Sequence, residues 1–378
     1  MIALTTEPNT ASKVSSAAVK SGMSDTMKAS TLMQLYANTI NQTPDINLPS
    51  EVDTDSNSSV SKDLPNHQAK ARANATGYLN TINPLMVKTL SDIIGFSNQW
   101  TAFFDRLMTL AQSINEGNNK EIFQQGVLAL QNVIQKKGDS TVPVINALND
   151  FLAKIQEDQR NFNRDHDLVT AALGGESGEI ATLKANIDSL YKAIGKDNAM
   201  IAGGATGEVV GIVMISVGVL AEIETAGAST ALIVGGLAVM GGSSAMIGIA
   251  AKDLAGKQNQ LKADTAKLTN LEQLYTCVNT SNNTIQSMVD AISGAIAAVE
   301  SLQKGWNSLH DGFGEINSAL GLATPDLGDW LVDQLNTANK DWQDTRTLAL
   351  HLQDNGTIPI QKTDMTQPNT TFALAWLN

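Results

Sequence analysis

The side chains that could do chemistry in this chain are few and scattered. Four histidines, His67, His166, His310 and His351, lie far apart, and none has a partner at metal-ligand spacing. The run Arg164-Asp165-His166-Asp167 concentrates charge, but such a run reads as a solvated helix face. Cys277 is the lone cysteine, so no internal disulfide framework exists, and its place in Leu271–Val278 suits a small buried hydrophobe. There is no G-x-S-x-G and no P-loop. The cluster Gly203–Gly207 lacks the preceding strand and downstream acid of a dinucleotide-binding βαβ unit. These residues point away from an enzyme and name no catalytic group, metal or cofactor.

Charge narrows the field further. The 378 residues carry a net charge of −13, with no Lys/Arg cluster and no basic-aromatic stripe. That excludes nucleic acid as a partner and gives no polybasic attraction to anionic lipid. Any membrane affinity must therefore be hydrophobic. The opening MIALTTEPNTASK has neither a basic n-region nor an apolar h-region, so a classical signal peptide is not expected.

The elements that carry these residues read as helices. Aromatics make up only 4% and prolines number 9, while Ala, Leu, Asn and Gln abound. Residues 1–30 are polar and weakly patterned and are expected to be flexible, with a short helix over Ser30–Asn41 and a loop over Thr43–Asn66. A first long helix is predicted from about Gln68 to Asn115, with Pro84 kinking it or marking a new start. A second tract covers Lys120–Ala199, broken at Lys137-Gly138-Asp139, with Asp139 or Ser140 as a cap before Pro143. A third runs without proline from Lys252 to about Leu320, and a last helix from Leu327 to Leu352 follows the turn Thr324-Pro325-Asp326. The tail from Gly356 ends in the apolar Phe372–Leu377, expected to dock on the bundle. The predicted fold is mainly all-α. It is an elongated bundle of long antiparallel helices (residues 31–200 and 252–355) with an apolar head (201–251) at one tip and a C-terminal tail (356–378).

That head is the most unusual part of the chain. Ile201–Ala251 holds no basic residue and only three acids, Glu208, Glu222 and Glu224. Two apolar runs, Val209–Ile223 and Ala231–Ala251, flank a turn at Glu222–Gly227. Eleven of the chain's 29 glycines fall in the insert, which concentrates backbone freedom there. Gly203, Gly204, Gly207, Gly241 and Gly242 are the expected hinges. The first run carries Val209, Val210, Ile212, Val213, Met214, Ile215, Val217, Val219 and Leu220. The second carries Leu232, Ile233, Val234, Leu237, Val239, Met240, Met246, Ile247 and Ile249. These are the expected membrane-inserting residues. β-Branched content makes a strand hairpin, a β-tongue, as plausible as helices in water. Spanning hydrocarbon as a helix takes ~20 residues, and Gly203–Ile223 and Ala228–Ala251 each supply roughly that many.

An apolar hairpin set between two antiparallel long helices resembles the α-helical pore-forming toxins of the cytolysin A superfamily. Within them the chain is most similar to components of multi-part toxins: the haemolysin BL and non-haemolytic enterotoxin group of Bacillus and the tripartite toxins of Gram-negative bacteria. The resemblance covers about residues 30–355. It implies a secreted chain whose sheltered head enters a target-cell bilayer after a conformational change. Protomers then form a ring, aided by homologous toxin components. Two other readings compete: a translocator of a contact-dependent secretion system, and a coiled-coil assembly protein with an apolar oligomerisation tip. The second predicts stable oligomers and no lipid binding.

Overall fold

In the computed structural model the described residues are 12–43, 45–53, 59–173, 178, 181–182, 184–189, 191–192, 212–221, 231–240, 270–321, 326–354 and 361–362. Among the described residues seven long helices dominate: α1 (Ala17–Gln42), α2 (Val60–Gly77), α3 (Asn83–Gln112), α4 (Asn119–Asp139), α5 (Val142–Ala172), α6 (Asn270–Ala319) and α7 (Leu327–Asp354). Strands β1 (Ile212–Ala221) and β2 (Ala231–Met240) fall between α5 and α6, and β3 (Gln361–Lys362) follows α7. The expected architecture of long helices with an apolar hairpin inserted between two of them is therefore present.

Several boundaries differ from the sequence reading, each for a local reason. The N-terminal segment is helical from Ala17, well before Ser30, because Val19, Met23 and Met27 give it an apolar face that is buried. Pro84 does mark a new start, as the sequence reading allows, standing second in α3. The π-turn Tyr78–Ile82 joins α2 to α3, and the Asn83 N–H donates to the Tyr78 carbonyl five residues back. A proline lacks its N–H and its ring collides with the carbonyl four residues earlier, so a widened turn lets the helix pass. At the break near Gly138, neither Asp139 nor Ser140 caps α5 forward. The Thr141 hydroxyl donates back to the Gly138 carbonyl at 2.7 Å, and Ser140 stays near helical at φ −66°.

The chain forms two compact units: Met1–Met27 with Pro84–Leu148 and Ala295–Gly356, and Lys28–Asn83 with Asn149–Gly294 and Thr357–Asn378. The division cuts through α1, α5 and α6, whereas the sequence reading divides the chain only into bundle, head and termini.

In the first unit the core is an aromatic lattice. Phe96 of α3 meets Trp306 of α6 at 5.6 Å and Trp342 of α7 at 4.7 Å, and Trp100 meets Phe313 at 6.2 Å. All five rings are buried. Their polar edges are satisfied: the Trp100 indole donates to Asn339 and the Trp342 indole to the Val14 carbonyl, both at 3.2 Å. Residues 12–16 lie along α7, where Ser12 Oγ donates to the Gln334 carbonyl and the Lys13 N–H to Gln334 Oε1. Gly312 is required beneath them, since a Cβ there would sit 1.8 Å from the Lys13 carbonyl oxygen. Asp92 is half-buried. Burial pushes its carboxyl up, but hydrogen bonds from Lys137 and Ser140 outweigh that and hold it below the usual range.

In the second unit α2 and α5 run antiparallel. Two exposed ion pairs, Asp63–Arg164 and Lys70–Glu157, flank the inner contacts His67–Asp165 and Asn74–Asp158. α5 and α6 are antiparallel too, joined by Gln159–Gln286, Asn163–Asn282 and His166–Tyr275. The helices flanking the insert thus run in opposite directions, as the sequence predicts. Tyr78 is buried, stacked on Phe151 at 5.5 Å, with its hydroxyl donating to the Ser30 carbonyl. Tyr191 likewise donates from a helical stretch to Thr280 of α6.

Candidate functional site

Within the insert, residues 212–221 and 231–240 form an antiparallel β-hairpin. β1 and β2 pair over ten residues in unbroken register, from Ile212 opposite Met240 to Ala221 opposite Ala231. Of the two conformations the sequence allows, the β-tongue is the one present. The dense Val and Ile of Ile212–Val219 explain the choice, because branching at Cβ restricts a helix and fits a pleated strand. Ser216 and Val217 face Gly236 and Gly235 across the ladder, so the glycines lie mid-hairpin.

The sequence of this hairpin does not alternate. An antiparallel sheet with one wet face reads apolar-in and polar-out. Here even positions (Ile212, Met214, Leu220) and odd positions (Val213, Ile215, Val217, Val219) are both apolar. Neither face is written for water. Yet an open hairpin is unsuited to lipid, because its edge N–H and C=O groups would lack partners there. The conformation present and the composition of the strands belong to different solvents.

Of the expected membrane-inserting residues, Ile212, Val213, Met214, Ile215, Val217, Val219 and Leu220 lie in β1. Leu232, Ile233, Val234, Leu237, Val239 and Met240 lie in β2. Val209, Val210, Met246, Ile247 and Ile249 fall outside the described residues, as do the hinge positions Gly203, Gly204, Gly207, Gly241 and Gly242, and the apolar end of the tail, Phe372–Leu377. Among the described residues, no helix is long and apolar enough to cross a membrane.

Sequence reasoning missed two features. Gln361–Lys362 adds a third strand beside β2, with Lys362 opposite Gly236 and Gln361 opposite Leu237, giving the order β1-β2-β3. A two-residue strand between prolines leaves no pattern to read. The second is Arg164-Asp165-His166-Asp167, expected on a solvated face. Arg164 and Asp167 are exposed, but Asp165 is 0% and His166 7% exposed. A signal was present: Leu148, Phe151, Ile155, Asp158, Phe162, Asp165 and Val169 follow the alternating three-four spacing of a buried stripe. Both acids sit where that repeat calls for apolar residues.

Among the described residues no cluster of three His, Cys, Asp or Glu is placed for a metal ion. The cavity between Ile40, Gln68, Phe162 and Ser281 measures about 20 Å³, room for a water and no more.

Comparison with known proteins agrees with this architecture. Residues 13–197, just under half the chain, match the family of Bacillus haemolytic enterotoxins (HBL). No curated protein matches the sequence significantly. Among solved structures, the Bacillus cereus HblL1 toxin component is 21% identical with a TM-score of 0.68, over 90% of this chain and 97% of that one. Soluble SmhA of the tripartite α-pore-forming toxin Smh from Serratia marcescens is 15% identical with a TM-score of 0.71, over 91% and 95%. Soluble AhlB of the tripartite α-pore-forming toxin AHL from Aeromonas hydrophila is 17% identical with a TM-score of 0.67, over 92% and 96%. In fold the chain is similar to these α-pore-forming toxin components.

Proposed function

We propose that this chain is a pore-forming toxin component that passes from a soluble form to a membrane-inserted one by refolding the insert of residues 201–251. The observation that carries the reading is a hairpin apolar at both sets of strand positions, set between α5 and α6 of a toxin-like fold. In lipid every backbone group must be bonded within the segment. Refolding Gly203–Ile223 and Ala228–Ala251 as two helices meets that condition and gives ~31 and ~36 Å of length, enough for the hydrocarbon core. Glycines at 203, 204, 207, 241 and 242 supply the backbone freedom for the change. Burying about ten large apolar side chains in lipid contributes on the order of 15–30 kcal/mol before opposing costs, enough to offset lost packing.

In this reading the chain acts outside the producing cell, self-associates into a ring in the target bilayer and works with homologous components. The partner assignment rests on likeness to SmhA and AhlB, each part of a tripartite toxin. The inserted hairpin has few polar positions to face a water-filled lumen, which suits a membrane-anchoring component more than one that lines the pore. The test is dye release from phosphatidylcholine vesicles by the purified chain, alone and with the products of similar neighbouring genes. Leakage in either case supports the reading and tells an autonomous pore former from one part of a set. Absence of both leakage and lipid binding would transfer the hairpin to the assembly role.

A further inference from the structure

The interior between α2 and α5 is polar where a helical core is ordinarily apolar. His67 and Asn74 lie seven residues apart on α2, and Asp165 and Asp158 seven apart on α5, so the antiparallel pair forms a two-rung ladder. His67 Nδ1 is 2.6 Å from Asp165 Oδ2, and Asn74 Nδ2 donates to Asp158 Oδ2 at 2.7 Å. Both carboxylates are buried, at 0% and 1% exposure, and the second oxygen of each has no protein donor. α6 continues the polar character: Asn279 Nδ2, Thr280 Oγ1 and Ser281 Oγ are buried without protein partners. A buried ionised carboxylate with a single donor is costly, and exposure to water relieves that cost. The ladder is therefore a place where two helices separate cheaply once its acids are charged.

We propose that this ladder is a pH-sensitive joint: protons on its carboxyls hold α2 against α5, and their loss toward neutral pH loosens the pair. Asp165 is seven residues before the end of α5, the helix that leads into the hairpin segment, so the joint sits where a rearrangement of the insert would begin. The surrounding groups are accounted for. Lys70 and His67 of α2 and Glu157 of α5 act on Asp158; His67 and Asp63 of α2 and Arg164 of α5 act on Asp165; α6 contributes Tyr275, 3.1 Å from His166. Burial is the dominant influence on both acids. It pushes Asp158 up to about 6, against the opposing Asn74 hydrogen bond, and it raises Asp165 as well. A raised carboxyl stabilises the closed ladder fully below the ordinary Asp range, and that contribution is lost as pH rises through about 6.

The joint is a property of the lipid-free fold and stands whether or not the hairpin enters membranes. It is tested by hydrogen–deuterium exchange on the full chain without lipid at pH 5 and pH 7.5, corrected for intrinsic exchange, reading peptides of α2 and α5. From Asp158 alone, the opening constant should rise about tenfold between the two. Asp158→Asn should lose most of that rise. Asn74→Ala, which removes the single donor, should loosen α2 and α5 more at pH 7.5 than at pH 5, whereas a merely structural contact would weaken equally at both. Equal protection of the wild type at the two pH values would overturn the proposal, as would an unchanged pH response in Asp158→Asn.

Discussion

The sharpest consequence of a membrane-entering hairpin concerns Leu237→Lys. In the soluble fold Leu237 is the seventh of ten residues of β2, paired with Ile215 on one side and Gln361 on the other. In a helix over Ala228–Ala251 it is the tenth of 24, near the bilayer midplane. A lysine at mid-membrane costs about 3 kcal/mol on insertion scales, and losing leucine adds roughly 0.5. Together that lowers the insertion constant of one protomer by about 400-fold, since 1.36 kcal/mol is a factor of ten. A ring multiplies the penalty by its number of subunits, so leakage should fall by more than the single-copy figure. The assay is vesicle dye release paired with flotation, with far-UV circular dichroism to confirm an unchanged fold. Val217→Asp tests the opposite strand. Leu128→Lys is the control, because Leu128 of α4 is 41% exposed, and charge there should leave leakage intact. Wild-type leakage by both hairpin variants would refute insertion of these strands.

Other consequences concern the bundle. Phe96→Ala removes the ring packed between Trp306 and Trp342, and by the usual cost of emptying an aromatic site it should lower stability by about 3–5 kcal/mol in urea unfolding. Gly312→Ala places a methyl where the Lys13 carbonyl lies, so residues 12–16 should leave α7. Faster trypsin cleavage after Lys13, with a loss of about 1–3 kcal/mol, is the expected readout. Cys277 is buried, with its thiol pushed up to about 12 by burial. It should therefore stay silent to thiol reagents at pH 8 in the native protein and react fully in denaturant.

Much of this protein is legible in its sequence because its signals are local and repeated. The three-four spacing of apolar residues places the long helices, and the proline-free run from Lys252 to about Leu320 marks the tract of which Asn270–Ala319 is observed as α6. The absence of any basic residue in Ile201–Ala251 isolates the hairpin without reference to structure.

Tertiary structure decided what depends on partners distant in sequence. The sequence leaves both strand and helix open in Ile212–Val219; its β-branched residues favour the strand, and pairing with Ala231–Met240 supplies the backbone partners that a strand needs. Gln361–Lys362 becomes β3 only because a β2 edge is there to bond it. Asp165 looks solvated beside Arg164 and Asp167, and becomes a buried group only when α2 brings His67 to within 2.6 Å. A sequence specifies which face of a helix avoids water. Which polar groups that face carries inward, and what meets them there, follows from the helix that packs on it.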